Sequence, residues 1–221
     1  DGTYLGEQGK VNLIKTGSSG GNYTSGALKN FDGSSTGITL VTGAGACGAQ
    51  GVLTADNIQN SYNPDNSNKF FDVFGSDITT GNNGGGCINK NPGPYTMQMR
   101  GLSAGSYTLT MLVGRGNSFG TASSTYDLTG NIEGLSATLL DYSAGSNASL
   151  SSTTLFSESG AGEWALVEYT FTVTEDNTTL SLTSNGTGNI NALALSSIPE
   201  PATASLGLLG LAVLAMRRRR A

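Results

Sequence analysis

Strict alternation of apolar and polar residues, repeated in several stretches, limits this chain to a β architecture. Tyr107, Leu109, Met111 and Val113 alternate with Thr108, Thr110 and Leu112, and Tyr95, Met97 and Met99 alternate with Thr96, Gln98 and Arg100 just before them. A period of two places one set on each face of a strand, so each stretch reads as a half-buried strand. Leu102-Ser103-Ala104-Gly105-Ser106 between them supplies the glycine of a tight hairpin. Further on, Val167, Tyr169, Phe171 and Val173 oppose Thr170, Thr172 and Thr174, Leu180 and Leu182 follow the turn Glu175-Asp176-Asn177, and a last strand spans residues 190–198. Shorter apolar runs at 11–14, 38–41 and 70–74 lie between Gly, Ser and Asn loops. Helix signals are nearly absent; the best is a short turn around 54–62 with Asp56 near its start. Strands without helices must cover one another's apolar faces. The expected fold is therefore all-β, a β-sandwich over residues 1–198.

Residues 199–221 have a different character. Pro199-Glu200-Pro201 is followed by fifteen uncharged residues, rich in Leu, Ala and Gly, and then by Arg217, Arg218, Arg219 and Arg220. This order resembles the PEP-CTERM sorting signal of Gram-negative bacteria, whose proteins are exported and then processed near the tripeptide by a membrane protease, an exosortase. The resemblance implies a short C-terminal hydrophobic helix held in the inner membrane until processing, with the arginines on the cytoplasmic side. It also implies an exosortase-type partner and a final location at the cell surface or outside the cell. At about 1.5 Å per residue the apolar stretch reaches a little over 20 Å, a marginal span suited to a temporary anchor. Because the chain opens at Asp1 without a leader, removal of a signal peptide or a partial sequence is expected.

A second resemblance concerns the body. Residues 28–40, 101–115 and 189–193 look like parts of the jelly-roll domains, similar to galactose-binding sandwiches, that often precede this signal. The resemblance implies a jelly-roll-like sandwich, and many domains of that shape bind carbohydrate. Two cysteines, Cys47 and Cys87, in an exported chain suggest one disulfide; two free, buried thiols are the alternative. With the four terminal arginines set aside, 7 basic residues stand against 16 acidic ones, net −9. Such a body repels phosphate backbones, so nucleic acid is not an expected partner, whereas cations and neutral polymers remain open.

The chain contains no histidine, which removes Ser-His-Asp, Cys-His and His-ligated metal chemistry. Carboxylate pairs such as Asp72 with Asp77 or Glu163 with Glu168 remain as candidates for general acid and base. Nothing in the sequence fixes their separation, and catalysis is not expected. Gly43-Ala44-Gly45-Ala46-Cys47-Gly48 matches G-x-G-x-x-G, but no β/α alternation surrounds it, so it reads as a Gly-rich loop. No organic cofactor is implied. Asp56, Asp65, Asp72 and Asp77 lie among asparagines between the two cysteines; these hard oxygen donors suit structural calcium, but no loop has the spacing of a calcium motif, and a solvated polar loop is the favoured reading. For stacking on a sugar, the candidates are Trp164, Tyr126, Tyr142 and Tyr62, with core packing the competing role for Trp164. The function expected is that of an exported surface or matrix protein that binds envelope or extracellular polysaccharide. A purely structural surface protein and a carboxylate-dependent carbohydrate-active enzyme are the alternatives.

Overall fold

The computed structural model describes residues 3–5, 12–14, 23–29, 34–42, 94–114, 121–159, 163–186 and 189–198. These form thirteen strands: β1 (Thr3–Leu5), β2 (Asn12–Ile14), β3 (Tyr23–Lys29), β4 (Ser35–Thr42), β5 (Tyr95–Leu102), β6 (Gly105–Gly114), β7 (Ala122–Gly130), β8 (Ile132–Tyr142), β9 (Asn147–Ser151), β10 (Thr154–Ser159), β11 (Trp164–Val173), β12 (Thr178–Gly186) and β13 (Asn189–Ile198). A seven-stranded sheet in the order β3-β4-β5-β12-β7-β10-β9 faces a four-stranded sheet in the order β13-β6-β11-β8, and β1 pairs with β2 apart from both. The fold is all-β and a sandwich, as the alternation predicts. Among the described residues no helix is long and apolar enough to cross a membrane.

The pairings are nested. β5 pairs with β12, β6 with β11 and β7 with β10, all antiparallel. The chain from β5 to β12 is thus one antiparallel ribbon, doubled back at its middle and wound so that successive rungs fall in alternate sheets. That winding is the jelly-roll arrangement. β9 departs from it by hydrogen-bonding β10 in the larger sheet.

Inward residues of both sheets make one core. Met97, Met99, Leu128, Leu155, Leu180 and Leu182 from the larger sheet meet Leu109, Met111, Val113, Val167, Tyr169 and Phe171 from the smaller. Tyr107 and Phe171 stack with ring centroids 5.9 Å apart, a pairing worth about 0.5–1.5 kcal/mol beyond its buried area. Near one end, β6 and β11 are buried on both faces: Leu112 and Leu166 are cross-strand partners and both fully buried, although their neighbours Val113 and Val167 already face the core.

Residues 122–159 contribute four strands where the apolar pattern marks none. Their outward positions are mostly Ser, Thr, Gly and Asn, with Asp127, Glu133, Phe156 and Glu158 among them, and several inward ones are small, including Ser124, Ser157 and Ala148, so the alternation has little hydrophobic contrast there. Gly101 is the extra residue of a β-bulge, since Leu102 pairs with Thr178 and Arg100 with Thr179. Its φ is +89°, and an added Cβ would lie 2.9 Å from the Gly37 carbonyl oxygen. The expected strand at 70–74, the helical turn at 54–62 and the C-terminal hydrophobic helix lie outside the described residues.

Candidate functional site

The aromatic residues expected to grip sugar are not brought together. Trp164 and Tyr126 are 3% and 1% exposed, so neither ring can be reached from solvent, which corrects their assignment as stacking residues. The reason is parity in one case and double-sided burial in the other: Tyr126 shares the inward face of β7 with Leu128, and Trp164 opens the part of β11 covered on both sides. Tyr142 is half exposed at the end of β8, and among the described residues no other candidate aromatic is exposed. Tyr62, the cysteines Cys47 and Cys87, and the proposed calcium ligands Asp56, Asp65, Asp72 and Asp77 lie outside the described residues. Among the described residues no group of three or more acidic or cysteine side chains is placed to hold a metal. Glu163 and Glu168 are five residues apart along extended chain, about 16 Å at the usual rise, and so do not share a cleft.

What the fold does assemble is a polar platform on the outer face of the seven-stranded sheet. Alternation that sends Met97, Met99, Leu180, Leu182, Tyr126 and Leu128 inward sends Thr96, Gln98, Arg100, Thr179, Ser181, Thr183, Thr125, Asp127 and Thr129 outward. Register then lines these up in rows across the strands. Gln98 lies opposite Ser181, which lies opposite Thr129; Thr96 lies opposite Thr183, which lies opposite Asp127. The next row runs Asn185, Thr125, Phe156 and Ser149. With strands about 4.8 Å apart and same-face residues about 6.7 Å apart, the platform from Arg100 to Phe156 measures roughly 20 Å by 14 Å.

Its side chains are fixed by one another. Arg100 Nε and Nη2 both donate to Gln98 Oε1, at 3.1 and 2.7 Å, and Gln98 Nε2 donates to Ser181 Oγ at 3.4 Å. The amide is thereby locked in one orientation, while the guanidinium keeps donors to spare on an exposed residue. Thr154 Oγ1 donates to Asp127 Oδ1 at 2.5 Å, and Asp127 is half-buried. Thr96 and Thr183 hydroxyls are 3.3 Å apart. Phe156, half-buried and paired across the strands with Thr125 and Ser149, provides the apolar element. Gln98 and Arg100 stand out in the sequence as polar partners of Met97 and Met99; Asp127 and Phe156 have no such marker.

The outer face of the four-stranded sheet is simpler. Ser106 with Thr172, and Ser136 with Thr170, meet hydroxyl to hydroxyl at 3.3 and 2.7 Å. Among the described residues, the buried Tyr169 Oη, Ser184 Oγ and Trp164 Nε1 find no hydrogen-bond partner. Burial, with the Asp127 carboxylate adding to it, pushes the Tyr169 phenol well above its ordinary range.

Comparison with known proteins places the other end of the chain. No curated protein and no solved structure matches it. The model of the PEP-CTERM protein-sorting motif matches residues 197–220, covering Pro199, Glu200, Pro201 and the arginines Arg217 to Arg220. The chain therefore carries a PEP-CTERM sorting motif, the mark of an exported protein sorted by its C-terminal signal and processed by exosortase.

Proposed function

We propose that the body is a non-catalytic module that binds neutral envelope or extracellular polysaccharide on the outer face of the seven-stranded sheet. The observation that carries this reading is the locked Arg100-Gln98-Ser181 cluster on the same face as Asp127 and Phe156. A sugar chain presents hydroxyls that both donate and accept, and apolar C–H faces between them. Side chains already held in place by one another lose little rotamer freedom on meeting it, and the ring of Phe156 offers the C–H faces a dry surface. The acidic balance of the chain favours neutral over anionic polymers. Export supplies the setting in which such polymers occur.

The test is affinity electrophoresis of the purified full chain in gels containing envelope polysaccharide from its host. Retardation that falls on Gln98→Ala and Phe156→Ala supports the reading. Unretarded migration of the wild-type chain would leave the purely structural surface protein as the better description.

A further inference from the structure

The sorting motif does not begin on a linker. β13 remains paired with β6 up to Ile198, opposite Ser106, and the motif match begins at residue 197, inside the strand. The last row to cross all four strands runs Ile198, Ser106, Thr172 and Glu133, and one further row, Gly105, Val173 and Ile132, crosses three. Beyond it lie the three connections β5–β6 (Ser103, Ala104), β7–β8 (Asn131) and β11–β12 (Thr174 to Asn177). The motif therefore leaves the body from one defined pole, with those turns beside it. Two of them are tied together, since Ala104 N donates to Asp176 Oδ1 at 2.8 Å, and Tyr107 Oη donates to the Ser103 carbonyl at 3.0 Å within the first. The pole also carries Glu133, Glu175 and Asp176, all exposed.

A protease takes its substrate as extended chain with free backbone groups. Bonds close to Pro199 are next to residues whose backbone is still committed to β6, and cutting there needs local opening of the strand end. The end is built to open. β13 is an edge strand, Ser196, Ser197 and Ile198 are all exposed, and the first side chain packed on the core is Leu195. Peeling three residues thus uncovers almost no core, and Leu195 stops the opening.

We propose that this pole is the surface the body presents to the membrane protease that processes the motif, and that Ser196 to Ile198 unpair from β6 to enter it. The proposal rests on the motif being processed, and deepens that reading by naming the surface involved. With no spacer, Glu133 at the start of β8 and the turn bearing Glu175 sit against the enzyme during cleavage, so their charge affects the rate. Residues at the opposite pole do not.

The test follows processing of the full chain in its host by pulse-chase. Glu133→Lys combined with Glu175→Lys changes the cleavage rate at least fivefold, whereas Glu158→Lys, remote on β10, leaves it within twofold. A spacer of twelve Gly and Ser residues inserted after Ile198 brings the double variant to within twofold of the wild-type chain carrying the same spacer. A misfolded body would not be corrected by a spacer, so that arm separates docking from damage. Equal rates for the wild-type and double-variant chains, or a defect that persists with the spacer, would overturn the proposal. A wild-type chain left uncut would instead contradict the processing on which it rests.

Discussion

The backbone N–H of Trp164 donates to Ser143 Oγ at 2.9 Å while the N–H of Ser143 donates to the Trp164 carbonyl at 3.0 Å, so the two residues clasp each other where β8 ends and β11 begins. The Ser143 carbonyl also accepts from Ser146 N at 2.9 Å, closing the turn toward β9. This corner is where the ribbon doubles back. Ser143→Ala removes the acceptor of a part-buried N–H. The expected cost is about 1–2 kcal/mol, read from the urea unfolding midpoint with an unchanged slope.

Gly101→Ala is expected to be more damaging. The residue sits at a positive φ in a bulge, and the Cβ would press on the Gly37 backbone carbonyl of β4, which cannot swing aside. A loss of about 2–3 kcal/mol is expected in thermal or urea unfolding. Gly37→Ala, with open space around its Cβ but φ +75°, should lose less.

Tyr169 gives a pH dependence. Its folded-state pKa is raised by burial and by Asp127 above the ordinary value of 10.0, so folding favours the neutral phenol. The associated stability is fully present below pH 10 and declines as pH rises above it. Tyr169→Phe removes an unpartnered hydroxyl, so it should cost little at pH 7 and flatten the alkaline loss; unfolding midpoints at pH 7 and pH 11 for both proteins measure this. An equally steep alkaline decline in the variant would mean that other groups carry it.

On the outer platform, Phe156→Ala should weaken polysaccharide retention about tenfold, corresponding to roughly 1.4 kcal/mol, with the unfolding midpoint little changed. Arg100→Ala releases Gln98 from its fixed orientation and should also reduce retention. Tyr126→Phe, in the core, should not.

Neutral replacements of Arg217 to Arg220 should leave uncut precursor in the envelope fraction. Intact mass of the protein from the cell surface and medium reads this directly: a C-terminus near Pro199 to Pro201 for the wild-type chain, and full length for the variant. Normal delivery of the variant would remove the arginines from the sorting role.

The strands at 95–113 and 167–182 were legible because hydrophobic contrast between alternate residues is itself the physical cause of a half-buried strand. The sorting motif was legible for a different reason: it is read as linear sequence, and tripeptide, apolar stretch and arginines need no partner from elsewhere in the chain. Tertiary structure decided the rest. Nothing local says that β5 pairs with β12 across some eighty residues, yet that register alone sets Gln98 beside Ser181. Strands β7 to β10 have too little contrast to declare themselves and exist because neighbouring strands hold them, which is how Asp127 and Phe156 join the platform. Trp164 and Tyr126 show the converse. An aromatic side chain suits a sugar face as well as a protein core, and only the packing of the sheets determined that both are buried.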